Sequence, residues 1–208
     1  MFKKAKIKEN NLKKGFTLVE LLVTIVIFVI ITGVVLVNSN KFDNTILLNN
    51  FGYDVALTIK LAQSYGVNVR ESSSATFNYP YGVYFNLDTT TNSGGSLTNF
   101  VLFNDFDQSS STKSVTSCDI SSECIQKYSM QKGTYIKSLC AGTDEIDCNN
   151  HSNTQQLSIL FQRPKLEALI YADGTADLKS YAKIILSSAD GAVSTVIVTS
   201  AGQIYVKK

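Results

Sequence analysis

The sequence has no tryptophan, one histidine (His151) and two prolines (Pro80 and Pro164). Each shortage excludes something. A lone histidine without a credible nucleophile or second base offers no nucleophile–base pair for covalent catalysis. There is no Gly-x-Ser-x-Gly elbow and no phosphate-cradling glycine loop. The chain therefore reads as no enzyme, with no cofactor expected. No repeat of fixed period appears. Residues 16–70 contain no proline, so the usual helix breaker is missing from the first third of the chain.

Charge is scarce and unevenly spread. Of the 19 basic residues, six lie in residues 1–15 (Lys3, Lys4, Lys6, Lys8, Lys13 and Lys14), against one of the 17 acids, Glu9. The formal charge of +2 therefore belongs to the N-terminus. Without those residues the chain holds 13 bases and 16 acids, a net −3. A mildly acidic body argues against a dominant phosphate-binding surface.

Residues 16–37, FTLVELLVTIVIFVIITGVVLV, contain a single ionisable group, Glu20. A run of 22 residues is long enough to cross a bilayer. The lysines all precede it, so the positive-inside rule keeps that end cytoplasmic and places the rest of the chain outside. A secretory signal peptide would have a shorter apolar core with a small-residue cleavage site after it. Asn38-Ser39-Asn40 follows here, and a cut there stays open on pattern alone. Beyond it, Leu47, Phe51, Val55, Ile59, Ala62 and Gly66, with Leu48 and Thr58 beside them, recur at helical spacing, while Asp43, Asn50, Asp54 and Lys60 take the other side. One helix of about 55 residues, or roughly 80 Å, is the simplest reading.

From about Ala75 the period changes. Residues 82–87, 99–104, 157–162, 167–172, 181–188, 194–200 and 203–208 read as seven short strands. Asp173-Gly174, Asp190-Gly191 and Ala201-Gly202 punctuate them as tight antiparallel turns do. The expected fold is α+β, with a long N-terminal helix, first transmembrane and then amphipathic, packed on an antiparallel β-sheet domain. Residues 105–155, rich in Ser, Thr, Asn and Asp, read as a long surface insertion with little regular structure.

The segment Lys13-Lys14-Gly15-Phe16-Thr17-Leu18-Val19-Glu20 resembles the type III signal of the type IV pilin superfamily. That signal combines a basic leader ending in glycine, an aromatic first mature residue and a glutamate at the fifth mature position. The resemblance implies a prepilin peptidase that cuts between Gly15 and Phe16 and N-methylates Phe16. It also implies that Glu20 pairs with the positive N-terminus of a neighbouring subunit during filament assembly. A carboxylate at a helix centre in lipid costs about 2.5–3.5 kcal/mol on insertion scales, and less near the interface. The bland alternative is a glutamate at the membrane edge that reaches interfacial water.

Two further stretches, 53–63 and 196–206, resemble the helix and last hairpin of GspH/FimT-type minor pilins and pseudopilins. The usual arginine and glutamate of that helix are replaced here by Lys60 and Ser64. Val37 stands where many major pilins carry a helix-bending proline, a hint against a major pilin. The implied organisation is a leader (1–15), a transmembrane segment (16–37), an amphipathic continuation (38–71) and an exported β-rich domain (72–208).

The implied role is a structural subunit of a type IV pilus or a type II secretion-type filament. It would be a single-pass cytoplasmic membrane protein, later incorporated into a cell-surface or periplasmic filament. Its partners would be other pilin or pseudopilin subunits, the prepilin peptidase, the inner-membrane assembly platform and membrane lipid. The alternatives are a DNA-binding minor pilin for natural transformation, using Lys179, Lys183, Lys207 and Lys208, and a plain signal-anchored surface domain without a filament.

Cys118, Cys124, Cys140 and Cys148 form an even set in a polar, exported loop and read as two disulfides. Three connectivities are open, and spacing favours the sequential pairs. Free thiols, or a zinc site of three cysteines with His151, are the other readings, though the spacings match no common zinc knuckle. Asp105/Asp107 and Asp144/Glu145/Asp147 are acid clusters without an EF-hand pattern, read as solvated loop acids.

Overall fold

The computed structural model describes residues 15–68, 79–90, 94–106, 118, 123–148 and 154–207, with the side chains of residues 37–43 outside that set. The lysine-rich leader up to Lys14, Asp107, His151 and Lys208 lie outside the described residues. The chain divides into two units, Met1–Asn40 and Lys41–Lys208.

One helix, α1 (Leu18–Val67), accounts for every described helical residue. In the first unit its Leu18–Leu36 portion is 19 residues long, with a mean hydropathy of 2.9 and nothing buried. That length is about 28 Å, close to the ~30 Å hydrocarbon core of a bilayer. Apolar side chains point outward all round, from Leu18 and Val19 to Val35 and Leu36. A helix apolar on every side belongs in an apolar solvent. Its two threonines fit that solvent: the Thr24 hydroxyl donates to the Leu21 carbonyl at 2.8 Å and the Thr32 hydroxyl to the Phe28 carbonyl at 2.7 Å. Neither donor is left unsatisfied in lipid.

In the second unit the rest of α1 is amphipathic, as its periodicity predicts. Leu48, Val55, Ala56, Thr58, Ile59 and Ala62 are buried, while Asn50, Asp54 and Lys60 are exposed. Nine strands follow: β1 (Tyr81–Asn86), β2 (Asn99–Asn104), β3 (Cys124–Ser129), β4 (Tyr135–Gly142), β5 (Gln156–Phe161), β6 (Ala168–Ala172), β7 (Tyr181–Ser187), β8 (Val193–Thr199) and β9 (Ile204–Lys207). They form two antiparallel sheets, ordered β3-β2-β1-β5-β6 and β4-β7-β8-β9. The helix face and both sheets share one apolar core, which includes Ile59, Phe85, Leu102, Ile159, Ile184 and Val196. Strand β1 lies in the middle of the first sheet and is buried along its whole length. Its Phe85 stacks on Phe100 of β2, which stacks on Tyr128 of β3, so one row of rings crosses three strands.

Two glycines let the helix come close. A Cβ on Gly66 would run into the Phe161 carbonyl of β5, and the Gly66 carbonyl itself accepts the Arg163 amide at 3.1 Å. A Cβ on Gly52 would sit 2.7 Å from the Ser194 hydroxyl of β8. The same helix face thus seats on both sheets.

The reading of residues 105–155 as an insertion with little regular structure is corrected here, because β3 and β4 lie within it. Ile136, Leu139, Cys140 and Ala141 of β4 are buried. A register shift between Ile136 and Ser138 breaks the two-residue alternation of that strand. Strand β3 is an edge strand, only partly covered and carrying Gln126 and Lys127 outward. The turn readings divide. Asp190-Gly191 and Ala201-Gly202 close the β7–β8 and β8–β9 hairpins. Asp173-Gly174 instead ends β6 where the chain passes to the other sheet, and both residues have φ above +20°. The Asp173 carboxylate accepts the Gln155 and Gln156 amides at 2.7 and 2.9 Å.

Candidate functional site: the processing segment and the helix start

Gly15 and Phe16 precede the first helical turn. Among the described residues, nothing lies within 4 Å of a Cβ built on Gly15, and Phe16 is 78 % exposed. The helix begins abruptly because Thr17 caps it. The Thr17 hydroxyl accepts the Glu20 amide at 3.2 Å, and the Thr17 carbonyl accepts the Leu21 amide at 3.2 Å. A residue whose carbonyl takes the first intrahelical bond and whose side chain takes the third amide is an N-cap. Glu20 then stands at the third helical position. Thr17-x-x-Glu20 has the spacing of a capping box. Glu20 lies in the first turn, where the helix dipole favours a negative charge.

Three residues singled out in the sequence, Gly15, Phe16 and Glu20, thus fall within two turns of one another. Thr17 was missed, although the T-x-x-E signature was there to be read. What the arrangement defines is a class: an apolar helix with an uncovered peptide junction and one carboxylate at its start, leading into an α+β domain. Residues 10–36 match the family model described as the prokaryotic N-terminal methylation motif. The chain therefore carries the type IV pilin signal of a prepilin-peptidase substrate, and the match supports its place in the type IV pilin superfamily. No match to a curated protein or to a solved structure was found.

The other candidates sit on the second unit, Lys41–Lys208. Cys118 bonds Cys124, and Cys140 bonds Cys148, with Cα separations of 5.2 and 5.7 Å. The sequential pairing is the one formed, and the described chain has no free cysteine, so the zinc and free-thiol readings lose their thiols. Cys140 and Cys148 are buried with Tyr181 and Ile197 on the outer side of the second sheet.

The acids of the loop they close have local work. Asp147 accepts the Thr143 amide at 2.8 Å and the Thr143 hydroxyl at 2.6 Å, which hold its carboxyl below the usual carboxylate range. Asp144 accepts the Ile146 and Asp147 amides at 2.8 and 3.1 Å. These are turn-forming bonds of the Asx kind. Two of the four lysines of the DNA-binding alternative face acids: Lys207 pairs with Glu145 at 3.6 Å, and the charge of Lys179 acts on Asp147.

Proposed function

We propose that the protein is a minor pilin or pseudopilin, a structural subunit of a type IV pilus or a type II secretion-type filament. One observation carries the reading. A 19-residue helix, apolar and uncovered on every side, starts with a lone carboxylate one turn after an open Gly15–Phe16 junction. Such a surface needs lipid before assembly and other helices after it. Cleavage turns the Phe16 amide nitrogen into a terminal cation, the group that a buried Glu20 of another subunit requires. The leader lysines hold the precursor's N-terminus at the cytoplasmic face, and the β domain is exported.

Intact-mass analysis of the membrane-extracted protein tests this. The expected N-terminus is Phe16 carrying one added methyl group. A chain still starting at Met1, or one cut after residue 38, would end the reading. The DNA-binding alternative is weakened where Lys207 and Lys179 are matched by Glu145 and Asp147.

A further inference from the structure

We propose that Thr17 is a positioning residue for processing: its hydroxyl cap stops α1 at Leu18 and keeps the Gly15–Phe16 peptide in the open conformation that a peptidase can cut. The inference rests on the reading of that junction as the cleaved bond. Hydrolysis there breaks the bond between the Gly15 carbonyl carbon and the Phe16 nitrogen. Water supplies the hydroxyl of the new Gly15 carboxylate and a proton to the new Phe16 amine.

The geometry explains why a cap matters. The first amides of a helix have no partner within it. Thr17 satisfies one of them with its own oxygen, at the Glu20 amide, and so removes the incentive to wind a further turn. A further turn would draw in Phe16 and Gly15. It would commit their carbonyls to helical bonds and wrap side chains around the scissile peptide. As it stands, that peptide lies outside the helix, with no described residue within 4 Å of a Cβ at Gly15 and with Phe16 exposed. Glycine's poor helix propensity works in the same direction, so Gly15 and Thr17 act together from either side of Phe16.

Capping makes a chemical demand that side-chain shape does not. Serine and asparagine cap as well as threonine or better, while valine has threonine's shape and no acceptor. The experiment uses the full-length chain in membranes, digested by a prepilin peptidase, with the fraction cut followed over time on gels. Thr17→Val and Thr17→Ala are expected to be cut about fivefold more slowly, the ratio that the loss of one cap corresponds to. Thr17→Ser and Thr17→Asn are expected to be cut at the parent rate. Membrane retention of all four, checked by carbonate extraction, is expected to be unchanged.

Normal cutting of the valine variant would overturn the inference, because shape alone would then suffice. Slow cutting of the serine and asparagine variants would overturn it too, because threonine itself would then be what the peptidase reads. A parent chain that is not cut after Gly15 would remove the underlying reading of the junction instead.

Discussion

At the residue scale, Glu20 and Tyr84 are ionisable groups with opposite fates. Glu20 sits on an uncovered apolar helix, where an unmatched carboxylate is expensive to keep in lipid. Glu20→Ala is expected to insert in membranes as well as the parent and to be lost from sheared filament fractions. The reason is that deleting one partner of a buried charge pair costs about 3–5 kcal/mol. Fractionation with immunoblotting checks both halves, and equal incorporation of the variant would remove Glu20 from assembly.

Tyr84 is buried in the β domain and donates to the Gln156 side chain at 3.1 Å. Burial first, then the charges of Asp173 and Asp88, push its hydroxyl up to about 12. A tyrosine that ionises less readily when folded contributes stability that is complete below pH ~10 and is lost as the pH rises toward 12. The domain's urea midpoint is expected to fall across that window, with a shallower fall in Tyr84→Phe. A midpoint that stays level between pH 10 and 12 would contradict the shift.

At the scale of elements, the seat of α1 on the two sheets is set by absence of side chains. Gly66→Ala puts a methyl group against the Phe161 carbonyl, a backbone atom that cannot turn aside. A destabilisation of roughly 1–3 kcal/mol is expected from such overpacking, read from urea unfolding of the purified protein. An unchanged midpoint would mean that the helix can shift on the sheet.

The same elements show what the sequence made legible. The buried stripe of α1 announced itself through spacing, and the apolar runs of β1, β2 and β5 to β9 through composition. Strands β3 and β4 did not. In β3 the residues Cys124-Ile-Gln-Lys-Tyr-Ser129 form a half-solvated edge with no apolar run. In β4 the bulge spaces the buried Ile136 and Leu139 three apart, which hides the period of two. Partners distant in the chain supply the rest: Ile136 is paired to Leu186 and Ala141 to Ala182, pairings that no local pattern encodes. At the candidate site, the motif that matches over residues 10–36 was legible because it is local. The two disulfides were anticipated for the same reason, each closing a short stretch of chain.

At the scale of the whole molecule, charge separates the reading of a filament subunit from that of a nucleic-acid binder. The chain beyond Gly15 carries −3, and Lys207 stands opposite Glu145 on the disulfide-closed loop. Binding that rests on phosphate contacts grows steeply as salt is lowered. Fluorescence anisotropy with a labelled duplex is expected to show no saturable binding by the oxidised protein, even at low salt. Saturable, salt-sensitive binding would restore the DNA-binding alternative.

The threonines of the apolar helix have one more consequence. Thr24 and Thr32 give their hydroxyl protons to their own backbone, so over its length the span shows a neighbour only methyl groups, ring edges and contour. Two such rods laid side by side can glide along one another at little cost, since every position resembles the next. In the filament proposed above, the single negative charge of Glu20 near one end would break that sameness and work as a detent. It would leave the bundle free to bend and stretch along most of its length, and lock its pitch at one point per subunit.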